Sequence, residues 1–523
     1  MNKKYYCANL KWRLGNRLRP APVISGVARK ALTIAIVCTL AGAVAAPRAQ
    51  ELDSDITLDE RLHSEVFADS DTLSNELLDL LGMDPSRKDT SGNVFPLNSN
   101  GNTAAVAATA PVIDGAILTL NEAVYQAGRQ DPDLLADTAA FESARYVAKS
   151  SLGQYGPKID VHVQKGHETS FSSLSDQAVD LPRHMRTDTV ISLRQPIFDM
   201  AAVATYKRDL ALRNAAQYRR QSTAENLMYD TISAYFDLVQ SLLAMGLAKD
   251  YQQRMQTLSE YMGKRVAGGA ASNADLERIK AVSLSAQRAM LDAKSGRDNA
   301  IVQISRLTGL KPSSIAIPSH MVPVIPLTAD EAVKTMDAQS AELLAARQQI
   351  AAAGFDKTGL KARFIPKVEI EAGMYRSVNP SGQVGETRDK RIMLVVSMNF
   401  LNGGSDRYLI SAQSAKEEEA RERYRSTYEH AQQRVRINYL ALSGLRQQLE
   451  VARKEYEANA AVTKAFDLQL SAANRSLLDV LDTYQKLYQS KLTLGKLLVS
   501  NTQVYYQVLK NISAINLPGG MEN

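Results

Sequence analysis

Cysteine and tryptophan are nearly absent from this chain of 523 residues, which has two cysteines and one tryptophan. All three (Cys7, Trp12 and Cys38) lie in the first 45 residues. Without that segment, no disulfide, cysteine nucleophile or cysteine metal site remains. The six histidines are scattered without metal-ligand spacing, and no dinucleotide, Walker or nucleophile-elbow motif occurs. We therefore predict no enzyme activity, no metal site and no cofactor.

The first 45 residues follow the three-part pattern of a secretory signal peptide. The first 30 hold eight Lys and Arg and no acid; an apolar run at 31–40 and the A-x-A site at 43–45 follow. The alternative, a transmembrane anchor, needs about 20 apolar residues, more than this run offers. Cleavage removes eight positive charges, so the formal charge of +6 becomes about −2. The basic pI of the full chain is thus no argument for nucleic-acid binding.

The rest of the chain contains a tandem repeat. Three motifs occur twice: L-T-x-x-E-A-V from residues 118 and 327, P-K followed by alternating apolar and acidic residues from 157 and 366, and S-x-x-D from 272 and 476. The first two pairs are 209 residues apart and the third 204, which indicates a duplication with a shorter loop in the second copy.

An acidic segment precedes the repeat. Residues 46–115 are rich in acids and then in Asn, Ala and Thr, so we predict a disordered or loosely docked extension with one short helix near 73–81. The predicted organisation is a signal peptide (1–45), this extension (46–115), a first repeat (116–317), a linker (318–326), a second repeat (327–516) and a C-terminal tail (517–523).

Each copy is predicted to form a helix, two strands joined by a loop, a very long helix, a tight turn and another helix. Alternating apolar and polar residues predict four strands, at 159–163, 189–196, 368–372 and 392–398, with loops at 170–184 and 379–387. The proline-free stretches 200–266 and 405–472 predict helices of about 100 Å. Apolar and small residues spaced by four and three from Tyr424 to Tyr456 indicate left-handed supercoiling.

With the flanking residues, we expect each strand to have roughly 10–13 residues, about the length that crosses an outer membrane when the strand is tilted. Four strands cannot close a barrel, open sheet edges are not tolerated in lipid, and bacterial barrels have at least eight strands. Two chains would supply eight strands and three chains twelve. We favour a trimer, with the count left open by the geometry alone.

The motifs SLRQPIFD (192–199), FLNGG (400–404) and RSLLDVLD (475–482), with the duplicated L-T-x-x-E-A-V, resemble the TolC-like outer membrane efflux protein family over residues 116–516. The resemblance implies an α+β membrane protein: a trimeric twelve-stranded β-barrel in the outer membrane, continued by a long periplasmic α-helical barrel. It also implies a periplasmic membrane fusion (adaptor) protein, an inner-membrane ABC transporter and outer-membrane lipid as partners. A proton-driven efflux pump is the alternative transporter.

Asp479 and Asp482 match the pair of aspartates at the periplasmic entrance of that family, so a trimer would carry six carboxylates around one axis. Rings of acids set cation preference in narrow pores. The alternative is a capping box, in which Ser476 and Asp479 satisfy backbone N–H groups at a helix start. That alternative leaves Asp482 unexplained.

The resemblance also implies an entrance latch at the two turns, formed by Asp275 and Arg475 with the turn residues Ser272 and Ser476. Solvated turn charges are the alternative. Leu470 stands where the family has a latch tyrosine, so this latch differs from the family pattern.

For function, we favour an exit duct for type I secretion of a large protein, because RSLLDVLD looks like members that serve secreted adhesins or toxins. Ala43, not cysteine, follows Leu40-Ala41-Gly42, which argues against the lipidated drug-efflux branch. Drug efflux is the second hypothesis. A periplasmic coiled-coil adaptor is the third, and the strand pairs argue against it.

Overall fold

The structure is a computed structural model that describes residues 75–77, 80, 94–96, 117–172, 179–318, 322–380, 384–471 and 477–515. The predicted signal peptide, the predicted tail at 517–523, Arg475 and Ser476 lie outside these residues. So do most of the extension and part of the linker.

Helices dominate the described part of the chain. In order they are α1 (Leu120–Gln130), α2 (Pro132–Gly153), α3 (Met200–Ala267), α4 (Asn273–Thr308), α5 (Ala329–Gln339), α6 (Ala341–Ala362), α7 (Ser405–Ser471) and α8 (Leu477–Asn511). The two long helices, α3 and α7, end within one residue of the predicted bounds, because no proline interrupts either stretch.

Two helices, not the single predicted one, precede each strand pair. The prediction was wrong here because side-chain caps divide the helical stretch. The Asp131 carboxylate accepts from the Leu134 N–H at 2.9 Å, and Pro132 occupies the first helical position of α2. In the second half, Ser340 lies between α5 and α6.

The strands form two sheets. They are β1 (Val94–Pro96), β2 (Ile117–Leu118), β3 (Lys158–Ser172), β4 (Val179–Phe198), β5 (Ser314–Ala316), β6 (Lys367–Val378) and β7 (Glu386–Ser397). The larger sheet is antiparallel with the order β3-β4-β6-β7, and the smaller has the order β1-β5-β2.

The first loop of the larger sheet is shorter than predicted. Phe171 pairs with Asp180 inside the predicted loop 170–184, and β7 begins at Glu386 inside the predicted loop 379–387. The predicted loops were too long because these segments are rich in Ser and Asp, which favour turns. Pairing with the neighbouring strand outweighs this weak local preference for turns.

The helices pack as two antiparallel hairpins. α3 packs against α4 and α8, and α8 packs against α7. The predicted seam is buried: Val435, Leu442 and Leu449 in α7, and Leu238 in α3, all belong to the core. By length and composition, α3 could also span a membrane, but 61% of its apolar window is buried, which is typical of a core helix.

The described residues of the acidic extension are packed against the rest of the chain. Residues 75–77 and 80, inside the predicted short helix, are helical, and Leu77 and Leu80 lie in the core. Glu76 forms an ion pair of 2.6 Å with Arg453 in α7, and β1 pairs with β5. These described residues thus contribute apolar area to the core, and the predicted disorder of the extension stays a prediction.

A serine near the C-terminus caps α6. Ser340 makes no side-chain cap there, and the Ser513 hydroxyl accepts from the Ala341 N–H at 3.1 Å instead. The same hydroxyl donates to the Glu225 carboxylate at 2.7 Å. Burial raises the pKa of Glu225, while the hydrogen bond from Ser513 opposes the increase.

Candidate functional site

The larger sheet has one apolar and one polar face. Residues paired across strands share a face, so the register assigns each side chain. Ile159, Leu193, Ala372 and Ile392 form one row of the apolar face, and Val161, Ile191 and Met374 belong to the next. On the outer strands these side chains are strongly exposed, at 66% for Ile159 and 80% for Ile392. Such a face is favourable only against lipid or another apolar surface.

The opposite face carries charged and polar groups that bond to one another. The Arg186 guanidinium lies 2.8 Å from Glu168 and 2.9 Å from Asp188. Arg194 lies 3.3 Å from Glu371 on a neighbouring strand. A polar interior behind an apolar outer face is the pattern of a water-filled transmembrane β-barrel.

Both edges of this sheet are open. Within the described residues, β3 and β7 each pair with a strand on one side only. Unpaired backbone groups at such an edge cost several kcal/mol each in lipid, so the sheet requires further strands to become stable in a membrane.

The predicted entrance residues lie at the start of α8. Leu477, Val480 and Leu481 are buried against the α3–α4 hairpin, whereas Asp479 and Asp482 are exposed. The helical period therefore puts the leucines and the aspartates on different faces. The Asp482 carboxylate lies 2.7 Å from the Lys486 ammonium one turn later.

Of the predicted latch residues, the structure describes Ser272 and Asp275, which lie at the start of α4. The Ser272 hydroxyl accepts from the Ala274 N–H at 3.0 Å, and Asp275 lies in the first turn of the helix. Gly269 has a φ of 71°, which lets the chain turn sharply between α3 and α4. Arg475 and Ser476, the other predicted latch residues, lie between α7 and α8 and are outside the described residues.

A groove of about 650 Å³ lies near this end of the hairpins, between α3, α7 and α8. The Tyr484 hydroxyl donates to Asp467, and the Arg254 guanidinium lies 5.6 Å from the Tyr484 ring centroid. Burial, followed by the bond to Asp467, raises the pKa of Tyr484 to about 12. The residues of this groove come from three separate helices, so it could not be predicted from the sequence; the helical spacing of Arg254 and Tyr261 on α3 is the local signal it leaves.

A sheet with one lipid-compatible face and open edges, joined to long helical hairpins, is the arrangement of an outer-membrane channel protein. The chain belongs to the outer membrane efflux protein family, whose sequence model matches residues 123–310 and 332–505. It is therefore an outer-membrane protein that extends into the periplasm, and members of this family are transport channels, not enzymes.

Individual relatives are distant. The chain is 20% identical over 393 residues to the alkaline protease secretion protein AprF of Pseudomonas aeruginosa, covering 73% of this chain and 82% of that protein. Its fold resembles the outer membrane protein VceC of Vibrio cholerae (TM-score 0.66, 16% identity, covering 76% of this chain and 96% of that one). It also resembles the CmeC outer membrane channel of Campylobacter jejuni (TM-score 0.66, 13% identity, covering 82% and 96%).

Proposed function

We propose that three copies of this chain form a twelve-stranded barrel that serves as the outer-membrane exit duct of a tripartite export system. The open four-stranded sheet with its exposed apolar face carries the proposal. Pairing β7 of one copy with β3 of the next removes every edge, and three copies give a wider lumen than two. In this proposal the duct is passive, and an inner-membrane transporter and a periplasmic adaptor open it.

We infer that the subunit arose by tandem duplication. Both halves contain two helices, a strand pair, a long helix and a further helix in the same order. The starts of the halves are also alike: the Thr119 hydroxyl accepts from the Glu122 N–H, and the Thr328 hydroxyl from the Glu331 N–H, both at 3.2 Å. The two repeats then supply the six hairpins of a trimeric periplasmic tube.

At the periplasmic entrance, we propose a ring formed by Asp479 and Asp482 of the three copies. Both side chains are exposed on the helix face opposite the packed leucines, which supports this arrangement. Lys486 neutralises part of the charge of Asp482. The strength of the electrostatic field at the ring then depends mainly on the distance between the carboxylates of neighbouring copies. Asp275, Arg475, Ser272 and Ser476 are proposed to hold neighbouring turns closed.

Type I secretion of a large protein, driven by an ABC transporter, is the favoured use of the duct. The similarity to a protein named for alkaline protease secretion supports it. Drug efflux with a proton-driven pump is the second candidate, supported by the family description. The family match also argues against the adaptor hypothesis.

Deletion of the gene tests these alternatives. We expect loss of one or a few large proteins from the culture medium, with drug sensitivity unchanged, and recovery of secretion on complementation. Increased drug sensitivity with an intact set of secreted proteins would instead support efflux.

Planar bilayer recordings test the ring. Asp479→Asn combined with Asp482→Asn should abolish cation selectivity and block by multivalent cations while the trimer persists, because six negative charges leave one narrow place. The matched control is Asp292→Asn with Asp298→Asn, which removes as many charges from α4, about 25 Å or more from its start at 1.5 Å per residue. Equal effects of the two pairs would contradict the ring.

A further inference from the structure

Basic residues border the apolar face of the sheet at one end. Moving away from the helices, the apolar positions of β3 end at Val163 and are followed on the same face by Lys165. On β6, Met374 is followed by Arg376. On β7, Ile392 is followed by Lys390 and Arg388. Successive positions on a face are about 6.8 Å apart along a strand, so the first basic group on each of these strands lies one position beyond an apolar residue.

The other end of the same face is different. At the helix-proximal end, Phe198 pairs with Val368 on the apolar face, and Val396 is followed along the chain by Met398 and Phe400. Since the helices extend into the periplasm, the aromatic border lies at the periplasmic surface. The basic border therefore lies at the extracellular surface, in the outer leaflet.

The basic groups form one patch. Arg376 and Arg388 are directly opposite on β6 and β7, and both contact Glu386, at 2.6 Å and 2.5 Å. Arg388 remains 65% exposed, and Lys390 lies two residues away on the same face. Glu386 orients the two guanidinium groups side by side but cancels only one of the positive charges.

The fourth basic residue joins the patch only in the assembled barrel, a step that rests on the proposed trimer. Lys165 is on edge strand β3 and Lys390 is on edge strand β7. Closing the barrel pairs β7 with β3 of the next copy, which puts Lys165 of that copy on the strand next to the patch. Four positive charges and one negative charge then leave a net charge of +3 at each subunit boundary.

We propose that this patch binds the phosphate groups of the phosphorylated glycolipid of the outer leaflet, with the acyl chains of the lipid on the adjoining apolar rows. Guanidinium groups pair with phosphate through two parallel hydrogen bonds, and lysines near a membrane surface add electrostatic attraction. Charge alone would attract a free anion. The direct continuation of the patch into Ile392 and Leu394 favours an amphiphile that carries both phosphate and acyl chains.

Native mass spectrometry of the full chain in detergent tests the proposal with three ligands: bisphosphorylated lipid A, the same acylated disaccharide without phosphates, and inorganic phosphate. The wild type should bind the phosphorylated lipid at least about tenfold more tightly than the phosphate-free lipid. The variant Lys165→Gln, Arg388→Gln, Lys390→Gln should reduce this preference to less than about twofold, because most of the phosphate contacts are removed. It leaves the Arg376–Glu386 pair in place, so folding should be preserved.

The matched control is Lys158→Gln, Arg194→Gln, Arg391→Gln, which removes three positive charges from the polar face of the same sheet. It should keep the wild-type preference. No preference in the wild type, an unchanged preference in the first variant, or equal loss in both variants would overturn the inference. Displacement of the lipid by inorganic phosphate would also overturn it, since the site would then take a free anion.

The same spectra separate this inference from the proposed trimer. A trimer without preference for the phosphorylated lipid would overturn the lipid site alone. A monomer that prefers the phosphorylated lipid would overturn the trimer and leave the patch on β6 and β7 intact.

Discussion

Gly495 allows a close approach between the two hairpins, and replacing it by alanine measures how tightly they pack. A Cβ added at Gly495 in α8 would overlap with Cδ2 of Leu243 in α3 and would lie 4.0 Å from Cδ1 of Leu80. Leu243 is 1% exposed, so its side chain has little room to move aside. The substitution therefore forces a rearrangement between α3 and α8.

The magnitude follows from two opposing effects. Alanine in a helix interior is favoured over glycine by about 1 kcal/mol. An extra methyl group in a packed core costs about 1–3 kcal/mol. We therefore expect Gly495→Ala to lower the free energy of unfolding by about 0–2 kcal/mol. Gly296→Ala in the exposed part of α4 has no neighbour within 4 Å and should raise the free energy of unfolding by about 0.4–1 kcal/mol.

Urea unfolding followed by circular dichroism, together with the temperature at which the oligomer dissociates on gels, provides the measurement. Leu243→Ala alone should cost about 2–5 kcal/mol, because it leaves a cavity. In that background Gly495→Ala should no longer destabilise, since the obstructing methyl group is gone. If Gly495→Ala costs the same with and without Leu243, the packing argument is wrong.

Three further predictions follow from the helices. Proline at Leu238 or Leu442, each buried midway along a continuous helix, should abolish assembly and export, because it removes a backbone hydrogen bond at a cost of about 3 kcal/mol or more. The folded-state pKa of Glu225 is raised, so the free energy of unfolding of the wild type should fall as the pH rises above about 4.5 and the carboxyl ionises. Glu225→Gln lacks this ionisation and should therefore gain stability relative to the wild type over the same range. Unfolding experiments between pH 4 and 8 measure the difference. Tyr484→Phe should cost about 0.5–1.5 kcal/mol by deleting the bond to Asp467, measured by urea unfolding.

Each of these has a result that would count against it. Normal export by either proline variant would disprove helix continuity. A stability difference between Glu225→Gln and the wild type that stays constant with pH would show that the carboxyl does not titrate with a raised pKa. For Tyr484, the control is Tyr261→Phe on the same groove; equal costs for both would mean that the bond to Asp467 has no special role.

Much of the fold follows from local patterns in the sequence. The absence of proline placed the ends of α3 and α7 within one residue. The four-and-three spacing identified the buried seam, including Val435 and Leu442. Alternation of apolar and polar residues located the four strands of the larger sheet. These features depend on backbone preference and on which face of an element is apolar, and both are encoded within a few neighbouring residues.

Only part of the candidate site could be predicted from local sequence patterns. Asp479 and Asp482 were identified from the sequence, and their position opposite the buried leucines agrees with helical periodicity. The pairing of Asp482 with Lys486 also lies within one turn. The contact between Tyr484 and Asp467 joins two helices, and nothing near either residue indicates the other.

Only the tertiary structure decided which distant residues meet. Leu80 and Gly495 are about four hundred residues apart in the chain, yet a Cβ placed at Gly495 would lie 4.0 Å from Cδ1 of Leu80. The Ser513 cap on α6 and the opposed pair Arg376 and Arg388 depend in the same way on chain path and strand register. The physical reason is that a local sequence pattern shows only that an apolar face needs a covering surface or that a charge needs a partner. That surface or partner is selected by packing geometry, which no short stretch of sequence contains.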